Sequence, residues 1–288
     1  MTMTPECIQC SLRQMDKFYS QYNDDPEARM VFLRKIMKHI ADAHPDCSPP
    51  EINGPLMAMV GEEAGIPDMF KNEKHEYNMA ILKMQDEIWE HIQQAEDKLY
   101  RALQYAMTGN YIDFGTGHLV SEAELHDMIE AAVDIELGES YTQFRTDLGQ
   151  AKTAAYLLDN CGEIVFDKMC IAEIKALYPE LKLTAVVRGL PSYNDVLMAD
   201  AEDVGLTEMV PVIGNGMNVP GTVLKQISSD ARNVITGADI VIAKGMGNYE
   251  TMIGCGLNVY YLFLCKCERL MREFNKPRLA SVFLAERA

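Results

Sequence analysis

Three short stretches concentrate the residues whose types could do chemistry. Asp159-Asn160-Cys161-Gly162-Glu163 follows the apolar run Ala154-Ala155-Tyr156-Leu157-Leu158. Arg188-Gly189-Leu190-Pro191-Ser192-Tyr193-Asn194-Asp195 follows a second run, Lys182 to Val187. Lys244-Gly245-Met246-Gly247-Asn248-Tyr249-Glu250 follows a third, Asp239 to Ala243. Carboxylates together with an amide oxygen are hard donors suited to Mg²⁺ or Mn²⁺. Lys244 and Arg188 could hold phosphate oxygens. The glycines allow close backbone approach, and a helix starting near Gly162 or Gly247 would aim its amides at an anion. A lone Asp-Asn pair after a strand is more simply a helix cap. Three polar strand ends in one region favour a site.

Such a set suits a phosphate group held at a metal ion. A haloacid-dehalogenase mechanism needs a second Asp two residues after the first. Cys161 and Leu197 stand at those positions instead. No Gly-x-Gly-x-x-Gly loop follows the first apolar run, and Gly245-x-Gly247 lacks its third glycine.

These strand ends need a scaffold. Short continuous apolar runs near 154–158, 182–187, 208–213, 239–243 and 258–264 alternate with helical patterns, the sign of a parallel sheet covered on both faces. Ligands of such sheets bind beyond the strand carboxyl ends. The first half reads as helical. Helices are expected over 5–22, 25–43, from Ser48 onward, over 71–107 as one long element, and over 121–135 with a Ser121/Glu124 capping box. The expected fold is therefore α/β: a mostly α-helical N-terminal region, residues 1–145, packed on a Rossmann-like α/β domain with a mainly parallel sheet, residues 146–288.

Composition narrows the partners. Of 288 residues, 43 are acidic and 26 basic, a formal net charge of -17. Such a chain repels nucleic acid and anionic membrane at long range. It would handle an anionic substrate only through a local cation, which a bound metal supplies. No basic-then-apolar leader opens the sequence and no apolar run is long enough to span a bilayer, so a cytoplasmic location is expected. Nothing here speaks to oligomeric state.

Other residues carry weaker signals. Cys7-x-x-Cys10 and Cys265-x-Cys267 could together supply four thiolates to zinc, yet C-x-C is an uncommon second knuckle. Buried or unpaired thiols are the simpler reading. Cys161 reads as pocket lining without a nearby histidine to activate it. The six histidines show no metal spacing.

The stretch Asp159-Asn160-Cys161-Gly162-Glu163-Ile164-Val165-Phe166-Asp167 resembles the central motif of the damage-control phosphatases. Arg188-Gly189 with Asn194-Asp195-Val196, Asp239 through Glu250, and Gly109-Asn110-Tyr111-Ile112-Asp113-Phe114 extend the likeness over nearly the whole chain. Cys7-Ile8-Gln9-Cys10 and the Lys74–Asn78 segment are similar to the stand-alone prokaryotic branch. The resemblance implies a helical region on a Rossmann-like domain, and a divalent cation (Mn²⁺, Mg²⁺, Co²⁺ or Ni²⁺) held by Asp159, Asn160 and Asp195. It implies removal of phosphate from small phosphorylated metabolites, sugar phosphates among them. Asn110, Asp113, Lys244 and Glu250 would lie near the pocket. Arg188, Gly245 and Asn248 are the further strand-end residues expected to meet substrate. A carboxyl methyltransferase-like enzyme, with which the family has been linked, and a non-catalytic metal or metabolite binder are the alternatives.

Overall fold

Thr4, Asp25 and Ser48 start the first three helices, each followed directly by proline, whose fixed φ suits a first turn. These helices are α1 (Pro5–Tyr19), α2 (Pro26–Asp42) and α3 (Pro49–Ala64). Thr4 and Asp25 accept hydrogen bonds from amides of their own first turns. The Glu51 carboxylate returns to the backbone nitrogen and hydroxyl of Ser48, both at 2.8 Å. Phe18, Tyr19, Phe32, Ile36, Leu56 and Val60 bury the shared apolar faces. The computed structural model describes residues 1–111 and 122–287.

The single long helix expected over 71–107 is two helices, α4 (Lys71–Gln94) and α5 (Lys98–Gly109). Asp97 makes the break. One of its oxygens caps the Tyr100 amide at 3.1 Å, while the other accepts from Tyr141 at 2.6 Å and Arg145 at 3.1 Å. A local carboxylate bond of this kind competes with helix continuation. Beyond it lie α6 (Glu122–Ala131), a short 3₁₀ turn, and α7 (Gly138–Gln150), which fills a stretch where no helix is expected. Ser121, the expected cap, lies outside the described residues.

From Thr153 the chain alternates strand and helix. The sheet runs in the order β3-β2-β1-β4-β5-β6, with β1 (Thr153–Leu157), β2 (Lys182–Val187), β3 (Val212–Gly214), β4 (Ile240–Lys244) and β5 (Val259–Leu264) parallel. The fold is thus α/β with a mostly parallel six-stranded sheet, as expected. The sixth strand, β6 (Ser281–Glu286), pairs antiparallel with β5 and has no counterpart among the expected runs. It is a half-buried edge strand, so its apolar signal is weak. β4 and β5 are buried along their whole length, which is why they read as continuous apolar runs.

The connecting helices are α8 (Glu163–Leu177), α9 (Met198–Asp203), α10 (Ser229–Thr236), α11 (Gly245–Met252) and α12 (Glu268–Phe274). One core joins both halves of the chain, with Ile81 and Leu103 from the helices meeting Phe166, Tyr156 and Tyr260. The approach of α5 to α8 is close. A Cβ on Gly109 would lie 2.8 Å from the Phe166 ring and 3.1 Å from the Glu163 Cα. β1 and β4 are neighbours whose connections leave in opposite directions along the sheet, the switch point where such sheets open a crevice. Among the described residues no helix is long and apolar enough to cross a membrane.

Replacing Asp97 by Ala removes the cap of α5 and the acceptor of Tyr141. It is expected to lower unfolding free energy by about 1–2 kcal/mol, read from the midpoint shift in urea. An unchanged midpoint would show that tertiary packing alone sets the break.

Candidate active site

The β1 and β2 loops are laced together before any side chain is considered. Val196 donates its amide to the Asp159 carbonyl and Cys161 donates to the Asn194 carbonyl, both at 2.9 Å. Asn160 and Asp195 form an isolated antiparallel bridge. Gly162 turns the chain at φ +80°, and its amide donates to Asn78 Oδ1 of α4 at 2.6 Å. The sequence-expected trio Asp159, Asn160 and Asp195 therefore sits at one mouth, on backbone that two strands and a helix hold.

Arg188 bridges the two aspartates. Its Nε donates to Asp195 Oδ2 at 2.6 Å and its Nη2 to Asp159 Oδ1 at 3.3 Å, with Nη1 3.5 Å from Asn248 Oδ1. Only 2% of the residue is exposed, so it orients carboxylates from behind rather than meeting a substrate phosphate. Asp159 Oδ2 accepts from Asn110 at 3.0 Å and from Asn160 Nδ2 at 2.8 Å. Gly245, at φ +80°, leaves room for that carboxylate, since a Cβ there would stand 1.9 Å from Asp159 Oδ2. Asn248 donates to the Lys244 carbonyl at 2.7 Å and accepts from Thr222 at 2.8 Å. Both side-chain ends are thus committed within the scaffold.

Lys244 is a correction to the sequence expectation. It is completely buried and donates to Glu163 Oε1 at 2.7 Å, Asp167 Oδ1 at 2.6 Å and the Ala106 carbonyl at 2.7 Å. An ammonium has three hydrogens, so none remains for a phosphate. Burial works against its charge, but the carboxylates of Asp167 and Glu163 outweigh burial and hold its pKa above the ordinary lysine value. Glu163 Oε2 continues the chain, accepting from Asn110 at 3.0 Å and Asn160 Nδ2 at 2.8 Å. Lys244 thus positions the Asp159–Asn160 loop through Glu163. Asp113 lies outside the described residues.

The cleft at the mouth has a volume of about 360 Å³. Asp159, Asn160, Asn194 and Asp195 form its floor. Gln14 and Asn53 contribute from α1 and α3, Glu250 from α11, and Lys266 and Arg278 from the segments after β5. Lys266 and Arg278 are not among the residues to which the sequence points. Applying the strand-end rule to the fifth run would reach Lys266. Arg278 carries no such signal. A second cleft beyond Tyr193, lined by Met57, Met69, Phe70, Leu190 and Pro191, has no cation in its lining among the described residues.

The electrostatics of the floor call for positive charge. Burial, then Asp195 and Glu163, push the Asp159 carboxyl well above its ordinary value, against the pull of Arg188 and Lys266. Among the described residues no three His, Cys, Asp or Glu side chains make a metal set by themselves. A set here needs the amide of Asn160. Its nitrogen is committed to Asp159 and Glu163, which leaves Oδ1 as the atom able to meet a cation. Two carboxylates and that oxygen are a donor set fit for a hard divalent ion.

The thiols do different things. Cys10 and Cys267 line the cleft, so the two ends of the chain do meet, but the four-thiolate zinc set is not assembled among the described residues. Cys161 is wholly buried beside the floor instead of lining the cleft, and burial pushes its thiol well up.

A family model described as the damage-control phosphatase ARMT1-like domain matches residues 3–282. An uncharacterized protein of Methanocaldococcus jannaschii is 29% identical over 275 residues, covering 92% of this chain and 89% of its own. A damage-control phosphatase of Archaeoglobus fulgidus is 28% identical over 282 residues, 96% of each chain. The crystal structure of a DUF89 family protein from Pyrococcus horikoshii has a TM-score of 0.84 at 24% identity and covers 99% of both chains, a likeness of fold.

Replacing Lys244 by Met leaves Glu163 and Asp167 buried without a counter-charge. The expected cost is about 3–5 kcal/mol in chemical unfolding. The deficit is largest in alkaline buffer, where Asp167 carries its charge. It shrinks as pH falls through about 7, the value to which burial pushes Asp167 even with the lysine present. A deficit that ignores pH would rule out uncompensated carboxylates as its cause.

Proposed function

The chain belongs to the damage-control phosphatase ARMT1-like family, and on that premise we propose that it is a divalent-metal-dependent phosphomonoester hydrolase acting on small phosphorylated metabolites. One observation carries the reading. Asp159, Asn160 and Asp195 share the floor of a cleft whose rim holds two cations, Lys266 and Arg278, in a chain of net charge -17. The floor suits a cation and the rim an anion.

Asp159, Asn160 and Asp195 are the proposed ligands. Mg²⁺, Mn²⁺, Co²⁺ and Ni²⁺ all accept such oxygen donors. A bound ion supplies charge neutralisation and orients a phosphate for attack. Arg188 fixes the relative orientation of the two carboxylates, and Asp159 and Glu163 hold the Asn160 amide nitrogen, which leaves its oxygen for the ion. Lys266 and Arg278 draw the phosphate into an otherwise acidic surface. Gln14 and Asn53 line the wall on the side where the organic part of the ester would lie. The cleft is in the size range of single-metabolite sites.

Three measurements test this. Chelation should abolish phosphate release from a metabolite panel, and each divalent ion in turn should restore it to a different degree. Asp159→Ala should abolish metal-stimulated release, and full activity in that variant would refute the ligand assignment. Arg188→Leu should weaken metal binding by about 10–100-fold, measured by titration calorimetry. Metal binding without turnover would favour the binder reading, and methyl transfer without phosphate release would favour the methyltransferase reading.

A further inference from the structure

The acidic side chains around the cleft are not equivalent. Arg188 engages both Asp159 and Asp195. Lys244 and two asparagines occupy Glu163. Asp167 is closed behind Lys244 and Tyr156, whose hydroxyl donates to it at 2.7 Å. Glu250 differs. It lines the same cleft, more than nine-tenths buried, and among the described residues no group donates a hydrogen bond to its carboxyl. Its backbone is fixed instead. It lies on α11, one turn beyond Gly245 and Gly247, and its carbonyl accepts from the Met1 amine at 2.6 Å. A buried carboxyl without a donor favours its protonated form.

We infer that Glu250 is the general acid of the reaction, protonating the oxygen that leaves phosphorus. This role rests on the phosphatase reading above. The bond from phosphorus to the leaving oxygen breaks as the bond from phosphorus to water forms. The Glu250 proton goes to the leaving oxygen, giving the neutral alcohol. Both protons of the attacking water depart on the phosphate as H₂PO₄⁻, and one returns through solvent to the Glu250 carboxylate. The sum is ester plus water giving alcohol plus HPO₄²⁻, with the enzyme unchanged.

The surroundings of Glu250 agree with this role. Burial is the main cause that raises its carboxyl to about 7, with Glu273 of α12 adding to it. Arg269 of α12 and the Met1 amine pull the other way. Cys10 of α1, Cys267 and Lys266 face the same cleft. The amine is itself answered by Glu51 of α3. A proton donor at neutral pH needs such a value, since it must hold its proton and still release it.

A general acid matters in proportion to how poor the leaving group is. Glu250→Gln keeps the shape and removes the proton. With the metal-loaded protein, kcat on an alkyl phosphate such as glycerol phosphate should fall about 100-fold or more, and that on p-nitrophenyl phosphate by less than about 10-fold. The fall in kcat above about pH 7 on the alkyl ester should disappear in the variant. Retained aryl turnover reports that the variant is folded and its metal site intact. Equal losses on both esters, no loss on either, or an unchanged alkaline limb would overturn the assignment. Failure of the unaltered protein to release phosphate from either ester would sink the phosphatase reading itself, and the inference with it.

Discussion

An ammonium group with no water around it must be answered completely or not formed. Lys244 is answered by two carboxylates and a carbonyl drawn from α8 and α5. Desolvating it and its partners costs several kcal/mol per ion, recovered only when every hydrogen finds an acceptor. That requirement fixes how the end of β4 sits against the two helices. Through Glu163 it also fixes Asn110 and Asn160, and through them Asp159. The floor of the cleft is therefore the outermost layer of a polar network rooted in the core.

The charges in that network do not balance. Two fixed cations, Lys244 and Arg188, face four carboxylates: Glu163, Asp167, Asp159 and Asp195. The surplus lies at the open end, where Lys266 answers part of it and a divalent ion would answer the rest, beside the Asn160 amide oxygen, whose nitrogen is tied to two carboxylates. Without such an ion the protein meets the surplus by retaining protons, which is the direction burial and its neighbours drive Asp159. This is the physical content of the proposed metal site, independent of any likeness to other proteins.

The sheet was legible because buried parallel strands are continuous apolar runs, and the gathering of Asp159, Asn160 and Asp195 at one mouth because they follow two of those runs. The part played by Lys244 was not. A lysine closing a strand looks like a phosphate ligand until the helices that surround its tip are placed, and Ala106, Glu163 and Asp167 reach it across 138, 81 and 77 residues of sequence. Arg188 inverted for the same reason, a cation read as facing outward that faces its own carboxylates. β6 escaped notice because an antiparallel edge strand is only half buried. The break between α4 and α5 escaped because Asp97 owes its strength to Tyr141 and Arg145, far along the chain.

The two sides of the cleft come from parts of the chain with different obligations. The floor belongs to the strand ends and cannot shift without disturbing the buried ions beneath it. Gln14 and Asn53 stand on α1 and α3, whose apolar faces form a small core into which Tyr193 of the loop after β2 is packed. Exchanges at the cleft-facing positions of those two helices, away from the Tyr193 contact, can reshape what the wall admits while leaving the ionic floor intact. The molecule therefore joins a conservative chemical half to an evolvable selective half, an arrangement that lets one reactive centre be retargeted to new metabolites by drift in a few helix-borne amides.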